Sequence, residues 1–277
     1  MMLAPTRGRC LAAAALSVWG AACGTAVNYL DPSGPLYETR HAPGRDAAAP
    51  AFRVVTFNIE YAIHVDRAIK VLQEAAELKN LDLLALQEMD APGVERIAEA
   101  FGLNSLYIPS GVEPKTGRDL GSALLSPWPL IEPRKVSLPH GARGTGLRRV
   151  AVGATLLCAG FRLRVYSLQF PSPLAISGGS RRDEVDTLLA DAADSADPIV
   201  IAGDFNSHGI GARFVDKGYA WLTKDVGPTV SAVGVLKLSY DHIFVKGLRA
   251  ATDAPCAGVV SDNENASDHH PVWAVLN

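Results

Sequence analysis

Five short clusters of polar residues each follow an apolar run: Thr56-Phe57-Asn58-Ile59, Leu86-Gln87-Glu88, Gly203-Asp204-Phe205-Asn206, Tyr240-Asp241-His242-Ile243-Phe244 and Ser267-Asp268-His269-His270-Pro271-Val272. Glu88 and Asp268 are hard oxygen donors. Asp204 and Asn206 add an anionic and a neutral oxygen two residues apart, and the whole set suits Mg2+ or Mn2+ better than zinc. His269 changes charge near neutral pH, so it can move a proton or face a developing negative charge, with Asp241 to orient its second ring nitrogen. A cation, an activated water and donors for transition-state charge are the parts that phosphoryl chemistry needs.

Such residues act together only if strands deliver them to one edge. Phe52–Phe57, Leu81–Gln87, Gly121–Leu125, Leu130–Val136, Arg149–Leu157, Phe161–Phe170, Ile199–Ala202, Asp241–Val245 and Val272–Leu276 read as strands, with a hairpin turn at Cys158–Gly160. His64–Lys79, Val94–Phe101 and Arg181–Ala193 carry helical spacing. Strands with helices set between them indicate two packed sheets covered by helices, and polar residues just past strand ends face a common crevice. Pro109–Asp119 and Pro139–Arg148 read as loops at its mouth.

The 277 residues are 48% hydrophobic and 20% charged, enough for one large core. Met1–Arg9 is short and basic, Leu11–Trp19 is apolar, and small residues lead to Cys23, as in a bacterial lipoprotein signal with cleavage before Cys23. Gly20 departs from the aliphatic residue usual three positions before that cysteine. The expected organisation is residues 1–23 as signal with Cys23 lipidated, 24–50 as a flexible tether rich in Pro, Gly and Ala, and 51–277 as one domain. Export follows, with a membrane anchor at Cys23 or, under ordinary signal-peptidase cleavage, a periplasmic chain. Removing the leader takes the formal net charge from −3 to about −5, which argues against sequence-independent binding to nucleic acid through a cationic surface. Cys158 and Cys256 remain in the domain, where an exported setting permits a disulfide and two free thiols are expected.

The five clusters, in this order, resemble those of the endonuclease/exonuclease/phosphatase superfamily, from about Phe52 to Leu276. The resemblance implies an α/β fold, a four-layer αββα sandwich of the DNase I-like kind, and a Mg2+ or Mn2+ cofactor. It assigns Glu88 as the main metal carboxylate with Asn58 and Asp268 beside it, Asp204 as the residue that aligns or deprotonates water, and Asn206 as a donor to the phosphate. His269 becomes the phosphate-facing histidine and Asp241 its partner, while Arg148 or Arg149 contacts phosphate. Gln169 departs from the pattern: DNase-like members have a Thr-His pair where this chain has Leu168-Gln169, and an amide can bond a phosphate oxygen but carries no proton.

Taken singly, each residue has a plainer reading. Asn58 and Asp204 suit turns, His242 suits packing, His270 a neighbour of His269 without its own role, and His64, His140 and His208 exposed positions. Arg181-Arg182-Asp183-Glu184 reads as a solvated helix start, and Trp128, Trp221 and Trp273 as core or rim. Three functions compete: a nuclease, favoured because nucleic acid is the family's most common substrate; a lipid or small-molecule phosphoesterase, like a sphingomyelinase or inositol phosphatase; and a binding lipoprotein without turnover. Nothing requires more than a monomer.

Overall fold

A strand at Ile199–Asp204 is buried along its whole length, with Val200 and Ala202 in one apolar cluster and Ile199 and Ile201 in another, so it needs cover on both faces. A computed structural model describes residues 25–43, 51–232, 236–252 and 255–277 and supplies that cover as a four-layer αββα sandwich. In chain order the elements are β1 (Val27–Asn28), β2 (Tyr37–Thr39), β3 (Phe52–Asn58), α1 (Val65–Glu74), β4 (Leu83–Met89), α2 (Ala91–Phe101), β5 (Asn104–Glu113) and β6 (Arg118–Ser126). Then follow β7 (Leu130–Gly141), β8 (Arg148–Cys158), β9 (Phe161–Gln169), α3 (Gly178–Ala193), β10 (Ile199–Asp204) and α4 (Gly211–Asp216). The last are β11 (Ala220–Trp221), β12 (Val230–Ala232), β13 (Leu236–Leu238), β14 (Asp241–Lys246), β15 (Ala257–Val259) and β16 (Val272–Leu276).

One sheet runs β1-β5-β6-β4-β3-β16-β15 with β2 also on β5; the other runs β11-β14-β10-β9-β8-β7; β12 and β13 pair separately. Three apolar clusters mark the three interfaces between layers. Val55, Phe57, Leu84 and Leu86 meet α1 and α2 through Val71, Leu72, Ile97 and Ala98. Val54, Leu83, Val152, Val165, Val200 and Ile243 join the sheets face to face. Tyr166, Ile201 and Phe244 meet α3 and α4 through Val185, Leu188 and Phe214. Helix α2 has legible ends: the Asp90 side chain accepts from Gly93 N, Pro92 sits in the first turn, and Gly102 takes the left-handed conformation that closes the helix.

Several expectations need correction. The helix expected over His64–Lys79 ends at Glu74, because Ala75 is extended and a separate short turn covers Ala76–Leu78. β5 was not expected, and Pro109–Asp119 is mostly strand. The pairing of β5 with β6 shifts register between Pro109 and Gly111, and a bulge of this kind accommodates a proline within a strand. Part of the expected tether is ordered: β1 and β2 both add to the β5 edge, where Val27 pairs with Val112 and Tyr37 with Tyr107. Edge pairing satisfies the backbone groups that a tether would leave to water. Cys158 is buried and Cys256 half-buried, and no disulfide joins the two. The leader, Cys10 and Cys23 lie outside the described residues, among which no helix is long and apolar enough to cross a membrane.

Candidate active site

Strand register gathers the polar residues. In the second sheet Asp204 at the end of β10 pairs with Gln169 at the end of β9 on one side and with Asp241 at the start of β14 on the other. In the first sheet Asn58 at the end of β3 pairs with Gln87 on β4. The β4–β6 ladder shifts between Leu86 and Met89, and Glu88 within this irregularity has φ 56°. A bulge of this kind re-aims a side chain, here into the crevice between the sheets. Gly203 permits the close approach of β9 to β10, since a Cβ there would lie 2.0 Å from the Leu168 carbonyl oxygen.

Across the crevice the Gln169 amide nitrogen donates to Glu88 Oε1 at 2.5 Å and to Asp204 Oδ2 at 3.2 Å. Asn58 Nδ2 donates to the same Asp204 oxygen at 3.2 Å, and its Oδ1 accepts from Glu60 N at 3.0 Å. Asn206 donates its backbone N to Asp204 Oδ1 at 2.8 Å and its Nδ2 to Asp204 Oδ2 and to the Phe170 carbonyl, each at 2.9 Å. Asn58 and Asn206 therefore orient Asp204. Deeper in, His269 Nδ1 lies 2.9 and 3.0 Å from the Asp241 carboxylate oxygens and its Nε2 3.8 Å from Asp204 Oδ2. Thr229 Oγ1 donates to Asp241 at 2.6 Å, and Asn263 Nδ2 donates to the His269 carbonyl at 2.5 Å.

Asp204, Asp241 and His269 are all buried, and their charges interact. Burial raises the Asp204 pKa to about 7, with Asp241 adding to the rise and His269 opposing it. Burial works against charge on His269, but the Asp241 and Asp204 carboxylates outweigh it and hold the ring's pKa at about 10. The neighbouring carboxylates thus favour the charged ring, and burial favours the protonated form of Asp204.

The outer side of the crevice holds Glu88, with Glu60 and Asp268 near it. Burial raises the Glu60 pKa, and the Asp268 and Glu88 charges raise it further, while the Asp268 backbone N–H bonded to it opposes the rise. Oxygen donors that repel one another fit a hard divalent cation, and the buried Gln169 Oε1 has no protein partner. Asp204, Asp241 and His269 also lie within ligand distance of one another, but Nδ1 of His269 is already engaged by Asp241.

Arg148 and Arg149 separate in role: the Arg148 guanidinium is bonded to the Leu138 carbonyl at 2.9 Å, whereas Arg149 Nε has no partner. His242 packs in an aromatic cluster with Phe205, Trp221 and Phe244, and burial lowers its pKa to about 4. His64 and His208 are exposed, and His270 bonds the Val260 carbonyl at 3.2 Å. The helix start at Arg181–Glu184 is not solvated as expected. Arg181 and Glu184 are buried, and Arg181 donates to the Phe205 and Pro171 carbonyls at 3.0 Å each, next to Asn206 and two residues beyond Gln169. Glu60, Thr229 and Arg181 were missed by the sequence reading; the one available signal was a carboxylate two residues after Asn58.

A model of the endonuclease/exonuclease/phosphatase family matches residues 55–269. The chain belongs to that family. The match spans four of the five clusters whole and the fifth as far as His269. No curated protein matches the sequence. Solved structures similar to it include an endonuclease/exonuclease/phosphatase from Beutenbergia cavernae, at 21% identity and TM-score 0.63, covering 82% of this chain and 71% of that one. D. rerio TDP2 complexed with single-strand DNA product has 16% identity and TM-score 0.62, covering 83% of this chain and 100% of that one. A Bacteroides thetaiotaomicron mannosyl-6-phosphatase has 18% identity and TM-score 0.60, covering 82% and 99%. At these identities the structures establish the shared sandwich fold. The relatives span nucleic acid and sugar phosphate, so the fold leaves the substrate open.

Proposed function

We propose that this family member is a divalent-metal-dependent phosphodiesterase, in which Asp204 takes a proton from the attacking water and the His269 imidazolium faces the phosphate. The observation that carries this reading is the buried Asp241–His269–Asp204 arrangement, set across from Glu88 and tied to it through Gln169. Burial raises the proton affinity of the Asp204 carboxylate, which favours its acting as the proton acceptor. A fixed imidazolium stabilises negative charge on a non-bridging oxygen without reorganisation. Glu88, with Glu60 and Asp268, would hold Mg2+ or Mn2+, which neutralises phosphate charge. Arg149, with its unpartnered Nε, supplies a further contact to phosphate. Export through the leader, with Cys23 as the lipidated residue, is part of the same reading, and a single copy of the chain suffices for it.

Hydrolysis of bis(p-nitrophenyl) phosphate with Mg2+, with Mn2+ and with chelator tests the reaction class, using Asp204→Ala as the control. Metal-dependent release of nitrophenol that the control lacks is the expected result. No turnover by a folded, metal-binding chain would sink the reading. The finer expectation of a nuclease, which rests on the family resemblance, is read by nicking of supercoiled plasmid under the same conditions.

A further inference from the structure

The start of the described chain lies at the active-site end of the sandwich. Ala26 N donates to the Thr145 carbonyl at 2.8 Å, and Asn28 Nδ2 to the Gly146 carbonyl at 3.0 Å, both in the turn between β7 and β8. Arg143 N in that turn donates to the Ala175 carbonyl at 2.8 Å, in the loop that leaves Gln169. The order β1, turn 142–147, loop 170–177 and Gln169 is therefore a chain of direct contacts ending at Glu88.

Cys23 precedes Ala26 by three residues, a reach of at most about 11 Å. A lipid on Cys23 therefore brings a bilayer to this rim and away from the other end of the sandwich. The rim carries three exposed aliphatic side chains, against one exposed aromatic, Phe161 at 64%, at the opposite end. Leu174 is 88% exposed, Val27 58% and Ile63 54%, and the cations Arg143 and Lys115 are exposed beside them. Exposed aliphatic side chains among cations match the acyl boundary and anionic headgroups of a membrane. The opposite end, at the β8–β9 hairpin, lies about 26 Å from Gln169 along β9.

We propose that the active-site mouth docks on an anionic lipid bilayer through Val27, Ile63, Arg143 and Leu174, so that its substrate is a phosphodiester presented at the membrane surface. This rests on the phosphodiesterase reading for its chemistry and on the lipoprotein reading of Cys23 for its anchor. Lys115 adds to the attraction. Its ammonium stands 5.6 Å over the Tyr61 ring, whose backbone N donates to Glu88, so the same cation serves the mouth and the headgroup layer.

The test uses the full chain anchored in phosphatidylglycerol-rich vesicles, wild type against the double variant Leu174→Asp, Arg143→Glu, which alters neither the proposed catalytic residues nor the cation site. Backbone hydrogen exchange at residues 141–146 and 172–176 should be at least about threefold slower in the wild type, with residues 159–162 unchanged. Turnover of phosphatidylglycerol in those vesicles should fall about tenfold in the variant while hydrolysis of bis(p-nitrophenyl) phosphate stays the same. Equal exchange in both proteins, or protection at 159–162, would overturn the docking surface. Plasmid nicking together with no turnover of vesicle lipid would overturn the substrate assignment. Absence of bis(p-nitrophenyl) phosphate hydrolysis in the wild type would instead remove the phosphodiesterase reading, leaving the exchange result to decide docking alone.

Discussion

One Gln169 amide nitrogen bridges two carboxylates from different sheets, Glu88 at 2.5 Å and Asp204 at 3.2 Å. It holds together acids that would otherwise repel in a site shielded from water. Gln169→Leu removes the shared donor and should cost about 1–3 kcal/mol of stability in metal-free protein. The loss should shrink when Mg2+ or Mn2+ is added, as followed by thermal unfolding, and a cost independent of metal would mean that the bridge does not serve the cation site.

Glu88→Gln keeps an oxygen to accept from Tyr61 N but removes the charge. Turnover should fall at least about a hundredfold while the melting temperature in chelator changes little. An active Glu88→Gln enzyme would contradict the assignment of Glu88 to the metal.

Cation binding to the folded chain should raise its stability by about 2.7 kcal/mol at a concentration one hundred times the Kd. Thermal melts with Mg2+, Mn2+ and chelator measure this directly. On the proposed roles of Glu88 and His269, the shift should vanish in Glu88→Gln and persist in His269→Ala. The reverse pattern would place the cation at the Asp204–Asp241–His269 trio.

Arg181 ties the backbone beside Asn206 to the backbone after Gln169. Arg181→Met leaves both carbonyls unpaired in a buried setting and should cost about 2–4 kcal/mol. Arg181→Lys should recover part of this. At a temperature where all variants are folded, kcat should drop more than KM rises, since on the proposed reading the substitution loosens the reacting groups and leaves the mouth untouched.

Glu184 is buried with a pKa raised to about 7, chiefly by burial. The folded chain therefore holds this proton more tightly than the unfolded chain does, whose Glu titrates near 4.5. The stabilising contribution is complete below about pH 4.5 and is lost as pH rises through 7. Glu184→Gln, which mimics the protonated form and can still accept from His140 N, should be more stable than the parent by on the order of 1–3 kcal/mol at pH 8 and indistinguishable from it at pH 4. His242, with its lowered pKa, gives a slope of opposite sign below pH 6.5 in both proteins, so the difference between them isolates Glu184. Urea melts across this range would decide it; equal stability at pH 8 refutes the reading.

The chemistry-bearing residues were legible because each lies just past an apolar run, and the period of those runs is a local property of the chain. Asn58, Glu88, Asp204, Asp241 and His269 could be named from that pattern alone, as could the two-sheet layering, since strands buried on both faces demand it. Helix α2 was legible from its spacing over Val94–Phe101, while its start at Ala91 was not read although the signals for it are local. Its proline, its glycine and its capping aspartate lie within a few residues of the helix they bound.

What only the tertiary structure decided depends on register between distant segments. That Asp204 stands between Gln169 and Asp241 follows from the alignment of β10 with β9 and β14, and no local pattern encodes it. Arg181 and Glu184 look like a solvated pair in sequence, because burial of a charge is decided by what packs over it: the β7 edge and the Phe205 and Pro171 carbonyls. Residues 24–50 read as a tether because edge pairing is a backbone interaction with little demand on side-chain pattern, so β1 and β2 left no periodic trace. The same pairing places the start of the described chain at the catalytic end, a position set by the free edge of β5 and by no residue type within the segment itself.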